Sequence, residues 1–203
     1  SQETIATVKD FLDDLTFSHF PVIEEGIYIG SISSEDIENF DNDKKVIDYK
    51  YTLAGFFTRT DSIWLEVLEV FAKNHTNLVP VLDEKNSYIG YYELDDIMSF
   101  FHQTPFLKEQ GRILKVKKGV LDYSMSQITQ IVESNNGKLL GLFISESDVD
   151  SIEVTMKISL GAINEIIQSF RRYNYEIISE HQEDNYINSL KERSDYLDKY
   201  LNM

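Results

Sequence analysis

One series of motifs occurs twice in this chain, and the repeat limits the fold more than any other feature. Phe20-Pro21-Val22-Ile23, Tyr28-Ile29-Gly30 and Glu35-Asp36-Ile37 return as Val79-Pro80-Val81-Leu82, Tyr88-Ile89-Gly90 and Asp95-Asp96-Ile97. The offset is 59 residues at the proline and 60 at the glycine and the last aspartate, so one residue is inserted between Pro80 and Gly90. An internal repeat of this period implies two copies of one supersecondary unit, each too small to bury its own core and therefore packed on the other. A cleft between such pseudo-symmetric halves is a natural ligand site.

Both copies read alike. Ile5, Val8, Phe11, Leu12 and Leu15 recur at helical spacing, as do Ile63, Val67, Leu68 and Phe71. Two short apolar runs follow in each copy: Phe20–Ile23 and Ile27–Ile32, then Leu78–Leu82 and Tyr88–Tyr92. Turn residues separate the runs, Glu24-Glu25-Gly26 in the first copy and Asp83-Glu84-Lys85-Asn86-Ser87 in the second, which predicts hairpins. A closing helix opens at Ser34 or Glu93 and runs through Ile37 or Ile97. The unit is helix, strand, strand, helix.

The proline-valine strand, the aromatic-Ile-Gly entry to the second strand, and Ser33-x-x-Asp36 and Glu93-x-x-Asp96 at the last helix resemble the cystathionine-β-synthase-type (CBS) domain, in tandem as a Bateman module. The resemblance covers residues 1–103, with copies at 1–50 and 51–103. It implies a pseudo-dimer packed through its sheets. It also implies an adenine nucleotide or related ligand in a cleft, and regulation of an attached or partner protein.

Residues 111–179 have another rhythm. Ile113–Val116 reads as a strand and Met125–Val132 as a helix stopped by Asn135-Asn136-Gly137. Lys138–Ser145 and Ser151–Ser159 alternate as strands, Ala162–Phe170 has helical spacing, and Tyr175–Ile178 is a last strand. This βαββαβ order is the ferredoxin-like split βαβ arrangement. It resembles an ACT-type regulatory domain over 104–180, so the fold class is α/β (α+β), a CBS pair with small mixed sheets followed by an ACT-like domain. The layout is similar to that of acetoin-utilisation-type CBS proteins. The first strand-to-helix loop, Lys117-Lys118-Gly119-Val120-Leu121-Asp122, keeps a glycine but lacks the aspartate and proline-glycine pair of amino-acid-binding members.

Charge narrows the partners. Residues 1–103 hold 20 acidic and 7 basic side chains, against 15 and 12 in residues 104–203, so the repeat half carries most of the net −16. Such a surface repels phosphate backbones and anionic lipid, which excludes nucleic acid and a membrane surface as partners. No run approaches the ~20 apolar residues of a membrane span, no secretory signal opens the chain, and there is no cysteine. These features give the expectation of a cytoplasmic protein without disulfides. The four histidines lack metal-ligand spacing, and no phosphate loop or nucleophile elbow occurs, so no metal site or enzyme is expected.

The candidate site follows from the resemblance. Ser33, Asp36, His19, Phe20, Pro21 and Arg59 would line one cleft region, and Val79, Pro80 and Asp96 its counterpart. Asp36 would accept the ribose hydroxyls, with Ser33 and helix-end N–H groups beside a phosphate. The same Ser33-x-x-Asp36 also reads as a capping-box start that satisfies free N–H groups, and both readings stand. Glu93, where the family has Thr or Ser, would repel phosphate, which favours the first cleft. Of the seven basic residues in this half, Arg59 lies at the join between copies and is the one placed to meet a phosphate. With so few basic residues the ligand is expected to be a nucleoside-like or monophosphate species, or a polyphosphate brought in with Mg²⁺, so the class is an adenine nucleoside or nucleotide: AMP, ADP, ATP or S-adenosylmethionine.

From Asn185 onward Ile187, Leu190, Leu197 and Leu201, with Tyr186, Tyr196 and Tyr200, form an amphipathic pattern over 181–203. It serves either to fold back on its own domain or to cover a partner. The resemblance implies a homodimer. The whole reads as a non-catalytic regulatory sensor with an unidentified protein partner, or alternatively as a ligand-free interaction module.

Overall fold

The apolar residues at helical spacing in each copy do form helices. The computed structural model describes residues 1–161 and 163–179; the amphipathic pattern of 181–203 lies outside the described residues. In it α1 (Ile5–Asp14) and α3 (Trp64–Asn74) bury Ile5 in one copy and Val67 and Phe71 in the other. Thr4 caps α1 by accepting the Thr7 N–H, and Glu66 caps α3 by accepting the Ile63 N–H at 3.1 Å. Helix α3 ends on His75, held in the left-handed region at φ 48°.

Strands β1 (His19–Glu24) and β2 (Ile27–Ser33) pair antiparallel, as do β4 (Leu78–Leu82) and β5 (Tyr88–Glu93). Both hairpins carry a bulge at the same place, between Val22 and Ile23 and between Val81 and Leu82. Glu25 and Gly26 close the first hairpin with positive φ at both positions, the geometry that suits a two-residue loop. The inserted residue of the second copy sits in its turn. There Asp83 Oδ1 accepts the N–H groups of Lys85 and Ser87, both at 2.8 Å, and the Ser87 bond chiefly holds the Asp83 carboxyl below its ordinary pKa.

The copies then diverge. Helix α2 (Ser34–Glu38) stops after one turn, whereas α4 (Leu94–Gln103) continues for ten residues. A 3₁₀ helix (Val46–Thr52) and a two-residue strand β3 (Thr58–Arg59), parallel to β4, fill the join. Neither has a local periodicity that a sequence reading can catch. Contrary to the expectation that neither copy buries a core alone, each has a small one, Ile5, Val22, Ile32, Ile37 and Val46 in the first and Phe56, Val67, Phe71, Val79 and Ile97 in the second.

The copies are joined by reciprocal hydrogen bonds between equivalent residues. Tyr28 N–H donates to Asn86 O at 3.3 Å and Tyr88 N–H to Gly26 O at 3.0 Å. Ser18 N–H donates to Asn77 Oδ1 at 2.8 Å, and Asn77 N–H returns a bond to Ser18 Oγ at 3.2 Å. Ser18 and Asn77 stand 59 residues apart, the period of the repeat, so these bonds trace a local two-fold relation.

The chain divides into two compact units, Ser1–His102 and Gln103–Met203. The second opens with the short α5 (Pro105–Lys108), which the sequence reading did not separate. It continues with β6 (Gly111–Gly119), α6 (Met125–Ser134), β7 (Leu139–Ser147), β8 (Ser151–Ser159), α7 (Ile163–Arg172) and β9 (Glu176–Ile177). All pairings in its four-stranded sheet are antiparallel, in the order β7-β8-β6-β9, as a ferredoxin-like βαββαβ unit requires. Leu114, Val116, Val154, Met156 and Ile158 face α6 and α7 through Ile128, Ile131, Ile166 and Phe170. Glu153, also buried on β8, is paired with Lys115 Nζ at 2.5 Å and Lys117 Nζ at 3.3 Å. The Lys115 ammonium holds the Glu153 carboxyl below its ordinary range, and Glu153 raises Lys115 in return. Among the described residues no helix is long and apolar enough to cross a membrane.

Candidate functional site

A cleft of about 380 Å³ opens between the two copies of the first unit. Its walls are Ser18 and His19 at the start of β1, Ser31 and Ser33 at the end of β2, and Ser34, Glu35 and Asp36 on α2. Thr52 and Ala54 come from the join, and Asn74 and His75 from the end of α3. Residues from both copies therefore meet around one space.

Ser33 is held by the local fold. Its Oγ accepts the Asp36 N–H at 3.0 Å, so the capping reading of this hydroxyl is correct. Because the serine hydroxyl does the capping, the Asp36 carboxylate is not used for it. Among the described residues no donor is hydrogen-bonded to that carboxylate. In the second copy the roles reverse: Asp96 Oδ2 accepts the Glu93 N–H at 3.1 Å, leaving that carboxylate engaged. These are the two halves of a capping box, one used in each copy.

His19 lies half-buried beside Ser33, its partner in the β1–β2 pairing. Ser18 Oγ is 3.0 Å from its Nδ1, and its ring meets Phe56 edge-on at 5.2 Å. Burial lowers its pKa below the ordinary 6.5, and the charges of Asp36 and then Glu35 oppose that shift in part. The floor is fixed by Ser31, fully buried, whose N–H and C=O exchange 2.8 Å bonds with Ala54. Tyr28 braces it from behind, with its OH 2.8 Å from Ser31 Oγ and donating to Phe56 O at 2.7 Å. Gly30 lets this happen. At φ 143° it adopts a conformation side chains rarely take, and a Cβ there would fall 2.6 Å from Leu53 Cβ.

The structure thus gathers Ser33, Asp36 and His19 and places the other sequence candidates elsewhere. Phe20 packs on the first core, 5.9 Å from the Phe17 ring, and Pro21 pairs with Ser31 in the hairpin. Val79 is buried in the second core and Pro80 in β4, opposite Tyr91. Arg59 turns to the other hairpin: its guanidinium donates to Asp83 O and, at 2.8 Å, to Asn86 Oδ1, and it lies 4.8 Å over the Phe57 ring. Ser18, Ser31, Ser34, Glu35, Thr52, Ala54, Asn74 and His75 line the cleft without having been singled out in the sequence. Of these only Glu35 sat inside a repeated motif, with Ser31 and Ser34 beside one; Thr52, Ala54, Asn74 and His75 arrive through chain crossings that have no local signature.

Residues 56–103 match the family model described as CBS domain. With the repeated unit that precedes them, the chain carries a CBS domain pair, its mixed α/β fold continued by the four-stranded second unit. An uncharacterised protein of Methanocaldococcus jannaschii is 27% identical over 133 residues, 64% of this chain and 50% of that protein. The chain thus spans about half the length of this curated relative. Among solved structures, the chain is similar to a CBS domain pair/ACT domain protein from Thermotoga maritima, with 22% identity, a TM-score of 0.45, and coverage of 49% of this chain and 83% of that one. It is also similar to a CBS domain pair in complex with 5′-methylthioadenosine and S-adenosyl-L-methionine, with 26% identity, a TM-score of 0.41, and coverage of 50% and 83%.

Proposed function

We propose that the CBS pair is a non-catalytic sensor that binds an adenine nucleoside or nucleotide in the cleft beside Asp36. The observation that supports this is the state of that side chain: a carboxylate to which, among the described residues, no donor is hydrogen-bonded, in a cleft lined by hydroxyls. A carboxylate accepts two hydroxyl donors at once, which matches the adjacent hydroxyls of a ribose. The pseudo-equivalent Asp96 is held in its cap, so we propose one ligand per chain rather than two.

The cleft takes walls from both copies, and a ligand that touches both favours one packing of the pair over another. A second unit of ACT type over 104–180, or a second copy of the chain in a homodimer, would read out that change and pass it to a partner protein. Amino-acid binding is not assigned to the second unit.

Thermal unfolding with adenosine, AMP, ATP with and without Mg²⁺, and S-adenosylmethionine tests the reading. A ligand at about 100 times its dissociation constant adds about 2.7 kcal/mol. A shift with the native chain that disappears in Asp36→Ala supports the sensor. Silence across the whole panel leaves an interaction module with a cleft that binds no nucleoside.

A further inference from the structure

Resting on that reading of the cleft, we infer that its ligand carries no phosphate: it is a nucleoside whose 5′ substituent is neutral or positively charged. The lining contains two carboxylates, Glu35 and Asp36, two histidines, His19 and His75, and otherwise hydroxyls, an amide and a methyl group; no lysine or arginine is among the lining residues. The cation that the sequence placed nearest the join, Arg59, is committed to Asp83 O, Asn86 and the Phe57 ring. Lys9, the basic residue before α2, donates instead to Glu38 O, Phe40 O and Asn42 Oδ1. Burial of His19 disfavours its imidazolium, so it supplies little positive charge at neutral pH. Of the backbone donors at the start of α2, Ser34 N–H is taken by Ser18 O at 2.9 Å and Asp36 N–H by Ser33 Oγ.

A 5′-phosphate brings close to two negative charges at neutral pH into this space. It would meet two carboxylates and no fixed cation, in a half with 20 acidic and 7 basic side chains. With Asp36 accepting the ribose hydroxyls, Glu35 remains as an uncompensated charge on the same turn. It repels a phosphate, is indifferent to a hydroxyl or thioether, and attracts a sulfonium or ammonium.

Titration calorimetry on the full chain near pH 7.5 decides the matter, with adenosine, 5′-methylthioadenosine, S-adenosylmethionine, AMP and ATP as probes. The expected order places the sulfonium and neutral compounds at least about tenfold tighter than AMP, with Mg²⁺-free ATP weakest. Glu35→Lys, at an exposed position that leaves the core untouched, should narrow the adenosine-to-AMP ratio, as should raising the salt from about 0.05 to 0.5 M, which screens charge but does not relieve a steric clash. AMP binding as tightly as adenosine overturns the inference and leaves the nucleoside site intact. A ratio unmoved by both Glu35→Lys and salt also overturns it. If no nucleoside binds, the site reading itself falls, and this inference with it.

Discussion

The two copies share strands, bulges and turn contacts, yet they use the start of their last helix in opposite ways. In the first, Ser33 Oγ caps α2 and leaves the Asp36 carboxylate available; in the second, Glu93 has no hydroxyl to offer and Asp96 turns back to its N–H. The first position of the motif is a hydroxyl in one copy and a carboxylate in the other, and with that difference the aspartate three residues on is left out of the cap in the first copy and accepts in the second. Duplication alone does not give two equal sites.

The sharpest way to break the comparison is at the paired glycines. Gly30→Ala should cost on the order of 3 kcal/mol, because φ 143° is strained for a side chain and Leu53 Cβ lies in the way. Gly90 has nothing within 4 Å of an added Cβ, so Gly90→Ala should fall within about 1 kcal/mol of the native chain. Urea unfolding of the two variants measures the difference; equal losses would mean that the Leu53–Ala54 crossing does not hold the cleft floor.

Next come the aspartates. Asp36→Ala should abolish nucleoside binding with little loss of stability, while Asp96→Ala should leave binding intact and cost about 1 kcal/mol for its cap. Calorimetry and denaturation on the same pair separate the two roles. A smaller effect follows at Ser33: Ser33→Ala removes the cap of α2 at a cost of about 1 kcal/mol or less. Ser33→Glu should recreate the second copy's arrangement, draw Asp36 into the cap and weaken binding.

The pH response should also differ between the units. His19 has a folded pKa below 6.5, so its neutral burial contributes fully above pH 6.5, and the first unit should lose stability as pH falls from there through the lowered value. Glu153, depressed by Lys115, contributes above its unfolded value near 4.5 and is lost only as pH falls through its own lower folded value. Circular dichroism melts between pH 7.5 and 3.5 should show the first unit weakening before the second. His19→Gln should flatten the early loss, and an unchanged profile in that variant would remove His19 as its source.

Much of the fold was legible because it is written in local periodicity. Helical spacing placed α1, α3, α6 and α7, alternation placed the strands of the second unit, and the 59-to-60-residue repeat announced the pair. Ser33 and Asp36 were legible for the same reason, since a helix start has a short-range signature. His19 was found as the neighbour of a motif strand. What escaped was short or non-local: the 3₁₀ helix at Val46–Thr52, the two-residue β3, and α5.

The sequence by itself therefore determined the repeat, its helices and hairpins, the acidic character of its half and the two residues that open the cleft, because each rests on neighbours in the chain. Tertiary structure alone decided that Arg59 turns away to Asp83 and Asn86, and that Asn74, His75, Thr52 and Ala54 close the walls around Asp36. Those outcomes depend on which distant donors and acceptors packing brings within about 3 Å, and no spacing along the chain encodes that distance.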